Sequence, residues 1–139
     1  MADCTNVGQP GINISLVDNP IPGNVIVVLS GYTQSALKQT VTVKDSGGNT
    51  VATISGTGTN PTSMGVSYFK SPANPGAYTV SITNSGSQTT RVIKSYSSVA
   101  FGTTTYLGTW QFIAEDSPSG GDCDFNDCTV YLSWNLKFG

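Results

Sequence analysis

Apolar and polar positions alternate along most of this chain, and no window sustains the 3.6-residue period of an amphipathic helix. Clusters of Gly, Pro, Asn and Ser interrupt the alternation at short intervals, as turns do between strands. The pattern predicts nine strands: INISLV (12–17), GNVIVVLS (23–30), LKQTVTVK (37–44), TVATIS (50–55), TSMGVSYF (62–69), AYTVSIT (77–83), TTRVIKSYS (89–97), TTTYLGTWQFIAE (103–115) and CTVYLSWNLKF (128–138). The apolar run in 23–30 suits a strand covered on both faces, GYTQSA (31–36) reads as a loop, and DSGGN (45–49) as the turn of a hairpin. In the last strand Cys128, Val130, Leu132, Trp134, Leu136 and Phe138 share one face, which marks that face as core. Short antiparallel strands without a repeat predict an all-β fold, an antiparallel β-sandwich of about nine strands with Greek-key or jelly-roll-like connections.

Length and composition fit that reading. The 139 residues make a single domain, 1–139, large enough to bury a core of its own. Charged residues are only 10% of the chain, with Thr, Ser, Asn and Gly in their place. A net charge of -2 with scattered lysines offers no basic stripe for nucleic acid, and no apolar run approaches membrane-spanning length. The opening MADCTNVGQPGINISLV has no basic and apolar leader pattern, so the expected location is cytoplasmic, with release or extracellular action open if a leader is cut away. Cys4, Cys123 and Cys128 cannot all pair within one chain. Either a Cys123–Cys128 bridge cinches the loop between them or all three stay thiols, and no histidine is present to complete a zinc site.

The sparse acids are not evenly spread. Five of the eight, Glu115, Asp116, Asp122, Asp124 and Asp127, fall within residues 115–127, and no Lys or Arg occurs from Ser95 through Leu136. Clustered carboxylates repel one another unless a cation joins them. Calcium prefers oxygen ligands, and DCDFND offers Asp122, Asp124, Asn126 and Asp127 in a close comb. The comb is not an EF-hand, because Asp127 stands where the turn glycine belongs, Ser133 where the bidentate glutamate belongs, and strands flank it.

Glu115, DCDFND and an alternating strand through Trp134 to a terminal glycine resemble the C-terminal signature of the bacterial calcium-mediated fucose/mannose-binding lectins. The resemblance implies a small β-sandwich that holds calcium ions in direct contact with sugar hydroxyls. It implies a metal set of Glu115, Asp122, Asp124, Asn126, Asp127 and Gly139, in which Glu115 and Asp122 serve one ion, Asp124 and Asp127 bridge two, and Asn126 serves the second. Gly139 would lend its carboxylate to a neighbouring subunit, implying a homo-oligomer. Asp122, Asp124, Asn126 and Asp127 would also form the carbohydrate site, and an asparagine ligand from an early loop would fall near Ser30 or Gly31, where this chain has none.

Three functions follow in order. A non-enzymatic, calcium-assisted lectin for glycans, with fucose- or mannose-type sugars favoured by the resemblance, comes first. A structural or adhesion domain whose loop is merely stapled by calcium comes second. An enzyme comes last, since the chain has no His, a single Glu and no nucleophile motif. Tyr32, Tyr68, Tyr96 and Trp110 are candidate stacking platforms for sugar rings, against the alternative that they pack in the core.

Overall fold

The computed structural model describes residues 2–136. Among the described residues eight antiparallel strands join in one hydrogen-bonded sheet: β1 (Gln9–Pro10), β2 (Ile14–Ser15), β3 (Ile26–Lys44), β4 (Thr50–Lys70), β5 (Thr79–Asn84), β6 (Arg91–Phe101), β7 (Thr104–Glu115) and β8 (Cys128–Asn135). Their spatial order is β1-β6-β7-β8-β3-β5-β2, with β4 also paired to β3. The all-β sandwich expected from the alternation is what forms.

The connection between its layers is where the structure departs from the sequence reading. β3 is one 19-residue strand spanning both the second and third expected strands, and β4 spans the fourth and fifth in 21 residues. The first half of β3, Ile26 to Thr33, pairs with β8, whereas Gln39 to Lys44 pairs with β5. Register shifts at Ser30/Tyr32, Thr33/Ser35 and Ser35/Gln39 mark the bend by which β3 and β4 pass together from one layer to the other. Bulges of this kind increase twist without breaking the strand, so the expected loop at 31–36 is a bent strand. At Gly31 a Cβ would lie 2.5 Å from the carbonyl oxygen of Thr129, so β8 can approach only because that position has no side chain.

The other boundaries shift for simpler reasons. Of the expected strand 12–17 only Ile14–Ser15 is paired, and Gln9–Pro10 adds a two-residue edge contact on β6. The final strand ends its pairing at Asn135, and Lys137 and Phe138 lie outside the described residues. Strand 23–30 is not covered on both faces, because Ile26 is exposed and Val28 half-buried while Val27 and Leu29 are fully buried. The core lies between the layers. Val41, Val43, Val80 and Ile82 from one side meet Val27, Leu29, Phe112, Val130 and Leu132 from the other. In β8 the expected face of Cys128, Val130, Leu132 and Trp134 is buried.

Candidate functional site

The bend in β3 and the ends of β7 and β8 meet at one rim of the sandwich. Pairing of Ala114 with Cys128 brings the start and finish of the 115–127 segment side by side. The segment is tied there by Asp127 N donating to Ala114 O at 3.1 Å and Gln34 N donating to Asp127 O at 3.2 Å. Thr33 Oγ1 adds a 2.7 Å bond to the same Asp127 carbonyl. Between β3 and the segment lies an open depression of about 330 Å³, bordered by Gln34 through Leu37 on one side and by Glu115, Asp116, Asp122 and Asp127 on the other. The β3 stretch facing the acids is therefore 34–37, not Ser30 or Gly31.

Among the described residues two trios of carboxylates gather at this rim. One oxygen each from Glu115, Asp122 and Asp124 lies within 4.8 Å of the others, and so does one each from Glu115, Asp116 and Asp127. Glu115 belongs to both. It is 1% exposed, its Oε1 accepts a 3.1 Å bond from Ser117 N, and its Oε2 has no hydrogen-bond partner among the described residues. A buried carboxylate oxygen with nothing donating to it is costly, and it fits a position that a cation fills. The donor chemistry is all hard oxygen, which suits calcium or a similar ion and not zinc.

Electrostatics point the same way. Burial pushes the Asp127 carboxyl up to about 8, opposed by a bond from the Asp116 backbone N–H and reinforced by the Asp116 and Glu115 carboxylates beside it. As two ionised groups Asp127 and Glu115 only repel, whereas a proton held by Asp127 lets one donate to the other. The rim as its carboxylates are packed thus favours a protonated Asp127.

Asp116 was not in the expected ligand set, although it is adjacent to Glu115. Along a continuing strand two successive side chains would point to opposite faces. The strand stops at Glu115, however, and Asp116 turns back into the same rim, 5% exposed. Its Oδ2 accepts from Ser35 Oγ and, at 2.9 Å, from Gln39 Nε2, while Oδ1 accepts from Ser117 Oγ at 3.0 Å. Ser35 and Gln39 are buried polar residues on the bend of β3, and only the bend could have revealed them.

The remaining expected ligands are placed as follows. Asp122 and Asp124 are exposed, and Asp124 Oδ1 accepts from Asn126 N at 3.2 Å. Asn126 itself is half-buried. Gly139 lies outside the described residues. None of the four candidate aromatics borders the depression. Trp110 is buried and packs on Tyr96 with ring centroids 5.2 Å apart, whereas Tyr32 and Tyr68 are exposed on the outer sheet face.

The cysteines follow neither expected arrangement. Cys4 and Cys123 form a disulfide with Cα atoms 6.0 Å apart, joining the N-terminal segment to the middle of the comb. Cys128 is a buried free thiol, pushed up to about 12 by burial and by the Asp127 and Asp116 charges. Pairing between residues 119 apart depends on where the N-terminus docks, which strand alternation does not encode.

No curated protein matches the chain. Solved structures do. A high-affinity mannose-binding lectin of Ralstonia solanacearum superposes with a TM-score of 0.68 at 24% identity, over 85% of this chain and 95% of that one. The Chromobacterium violaceum lectin CV2L, in complex with alpha-methyl-fucoside, gives 0.68 at 25% identity over 94% of this chain and 100% of that one. The C-terminal domain of the BC2L-C lectin from Burkholderia cenocepacia gives 0.66 at 24% identity over 85% and 94%. The family model of Fucose-binding lectin II (PA-IIL) matches residues 19–136, a span that takes in both the bend of β3 and the acidic segment. With that span matched and the sandwich shared, the chain belongs to the Fucose-binding lectin II (PA-IIL) family and is a carbohydrate-binding lectin, not an enzyme.

Proposed function

We propose that this lectin binds fucose- or mannose-type glycans through calcium held at the 115–127 rim. The observation that carries the reading is Glu115, fully buried, common to both carboxylate trios and left with a bare oxygen. Glu115, Asp122 and Asp124 would hold one ion. Asp116 and Asp127, with Glu115, supply the oxygens for a second position, and Asn126 and Gly139 are further ligands by family resemblance. Calcium bound there would offer open coordination positions to a vicinal diol in exchange for water. The chain's own contribution is to fix the oxygens: Ser35 and Gln39 hold Asp116, and the Asp116 backbone N–H holds Asp127 Oδ2 at 2.9 Å. Asp122, Asp124, Asn126 and Asp127 would then meet the sugar, with Ser35, Ala36 and Leu37 walling the depression opposite. Fucose and mannose are favoured because the similar solved structures include a mannose-binding lectin and a complex with alpha-methyl-fucoside.

A homo-oligomer fits the outer face of the sheet. Register aligns Tyr32, Thr129, Ile113 and Ile93 in one row across β3, β8, β7 and β6, and Tyr131, Val66 and Tyr68 extend the exposed apolar area. Presenting several weak sugar sites together is what gives a lectin useful avidity. The Cys4–Cys123 bridge supports action outside a reducing cytosol, as a released or extracellular protein.

Calorimetric titration with methyl-α-fucoside and methyl-α-mannoside, in calcium and after EDTA, tests the mechanism. Binding that disappears on chelation, returns with calcium and is absent in Asp124→Ala is expected. Sugar binding that survives EDTA would leave the lectin standing and remove calcium from it.

A further inference from the structure

The comb that presents Asp122 and Asp124 is wound in an unusual way. Cys123 and Phe125 both adopt left-handed backbone conformations, with φ of 56° at each, although neither is glycine. Such conformations cost free energy for a residue with a Cβ, and they persist only where the surroundings hold them. Each is held by its own side chain. Phe125 is buried, and Cys123 is bonded to Cys4. Asp124 lies between these two anchors, and Asp122 immediately precedes the first.

The far end of the bridge is itself fixed. Cys4 is buried, its N–H donates to Pro118 O at 2.8 Å, and Gly120 N donates to Ala2 O at 3.0 Å, so Asp3 and Ser119 pair as in an antiparallel bridge. Gln88 grips Ser119 from the other side: its Oε1 accepts from Ser119 N at 2.9 Å and its Nε2 donates to Ser119 O at 3.0 Å. The N-terminal segment, the 117–121 stretch and the comb thus form one braced unit, cross-linked through Cys123.

We propose that Cys4 and Cys123 are positioning residues of the metal site, and that reducing their disulfide weakens cation binding by releasing the comb. The inference rests on the calcium reading above. A dithiol reductant supplies two electrons and two protons: the S–S bond breaks, two protein thiols form and the dithiol closes to its own disulfide. Cys123 can then leave the left-handed region, and the carboxylates on either side of it leave the trio with Glu115. Cys123 is half-buried and Cys4 buried.

The test compares calcium titrations of oxidised protein, of folded protein reduced with dithiothreitol and confirmed by thiol counting, and of the double variant Cys4→Ser, Cys123→Ser. Loss of a group that orients metal ligands typically weakens metal binding about 10- to 100-fold, and a loss in that range is expected for both bridge-free forms. Reoxidation should restore the reduced sample. A merely structural bridge would lower the melting temperature equally in calcium and in EDTA and leave the calcium dissociation constant within about twofold, which would overturn the proposal and leave the metal site intact. If the oxidised protein takes up no calcium, the metal reading itself falls and this proposal with it.

Discussion

Replacing Glu115 by Gln should stabilise the metal-free protein and destabilise the calcium-loaded one, so that the two melting curves exchange order on adding calcium. The side chain keeps its shape, and the amide oxygen can still accept from Ser117 N. Above about pH 8, where Asp127 is ionised, the new amide N–H₂ occupies the position where Oε2 has no partner among the described residues, and it can donate to the Asp127 carboxylate beside it. An unsatisfied buried acceptor costs about 1–3 kcal/mol, more when charged, so the gain without metal is about 2 kcal/mol. In calcium the sign reverses. At a free concentration one hundred times the dissociation constant, wild type gains about 2.7 kcal/mol from binding, and the variant, having lost the ligand common to both trios, gains almost none. For a chain of this size each kcal/mol is worth roughly 3–5 °C in melting temperature. Differential scanning calorimetry of both proteins above that pH, in EDTA and in calcium, reads all four values. A variant less stable than wild type in EDTA would refute the argument, because Glu115 would then be a structural residue and not a ligand kept waiting.

Two further outcomes follow from the same geometry. Asp127 holds a proton in the folded metal-free protein up to about pH 8, whereas an unfolded Asp loses it near ~4. The folded state therefore binds more protons across that window, and metal-free stability is greatest at its acid end and declines as pH rises toward 8. Calcium displaces that proton, so calorimetric calcium affinity should rise from pH 5.5 to 8, and melting temperature in saturating calcium should lack the decline; parallel pH profiles with and without calcium would contradict this. Gly108→Ala is expected to cost about 1–3 kcal/mol in urea denaturation, because its Cβ would lie 2.5 Å from the Trp134 ring and from Tyr96 Oη. A neutral result would mean that the aromatic cluster over β7 yields more readily than its packing implies.

How far the sequence could be read depended on whether a feature was local. The alternation in β8 names its buried face correctly because every residue there reports only its own side of one strand. The clustering of acids between β7 and β8 was equally visible, since it requires only that a hairpin bring its ends together. The bend of β3 was not. GYTQSA has the composition of a turn, and only pairing with β4 and β8 converts it into bulged strand, so Ser35 and Gln39 could not be foreseen as supports of Asp116. Asp116 was hidden for another reason: the expected strand ends at Glu115, as β7 does, and alternation says nothing of where the first side chain beyond a strand will turn. The partner of Cys123 was out of reach for a different reason: Cys4 is brought to it by backbone bonds between the N-terminus and 118–120.

These non-local features share a physical character, which bears on why the site sits where it does. Every one of them is unfavourable taken alone: buried carboxylates that repel, polar side chains drawn into the bend, and two left-handed residues that are not glycine. A fold under selection for stability only would fill such a rim with apolar side chains. The sandwich tolerates it because the main core lies elsewhere, between the layers, with Phe112, Val130, Leu132, Val41 and Ile82 fully excluded from water. The rim can therefore be held strained by hydrogen bonds and a cross-link, without being stable for its own sake, and it leaves Glu115 Oε2 without a hydrogen-bond partner among the described residues. On the calcium reading proposed above, that shortage would make binding favourable, since a rim already satisfied by its own donors would gain little by exchanging them for an ion.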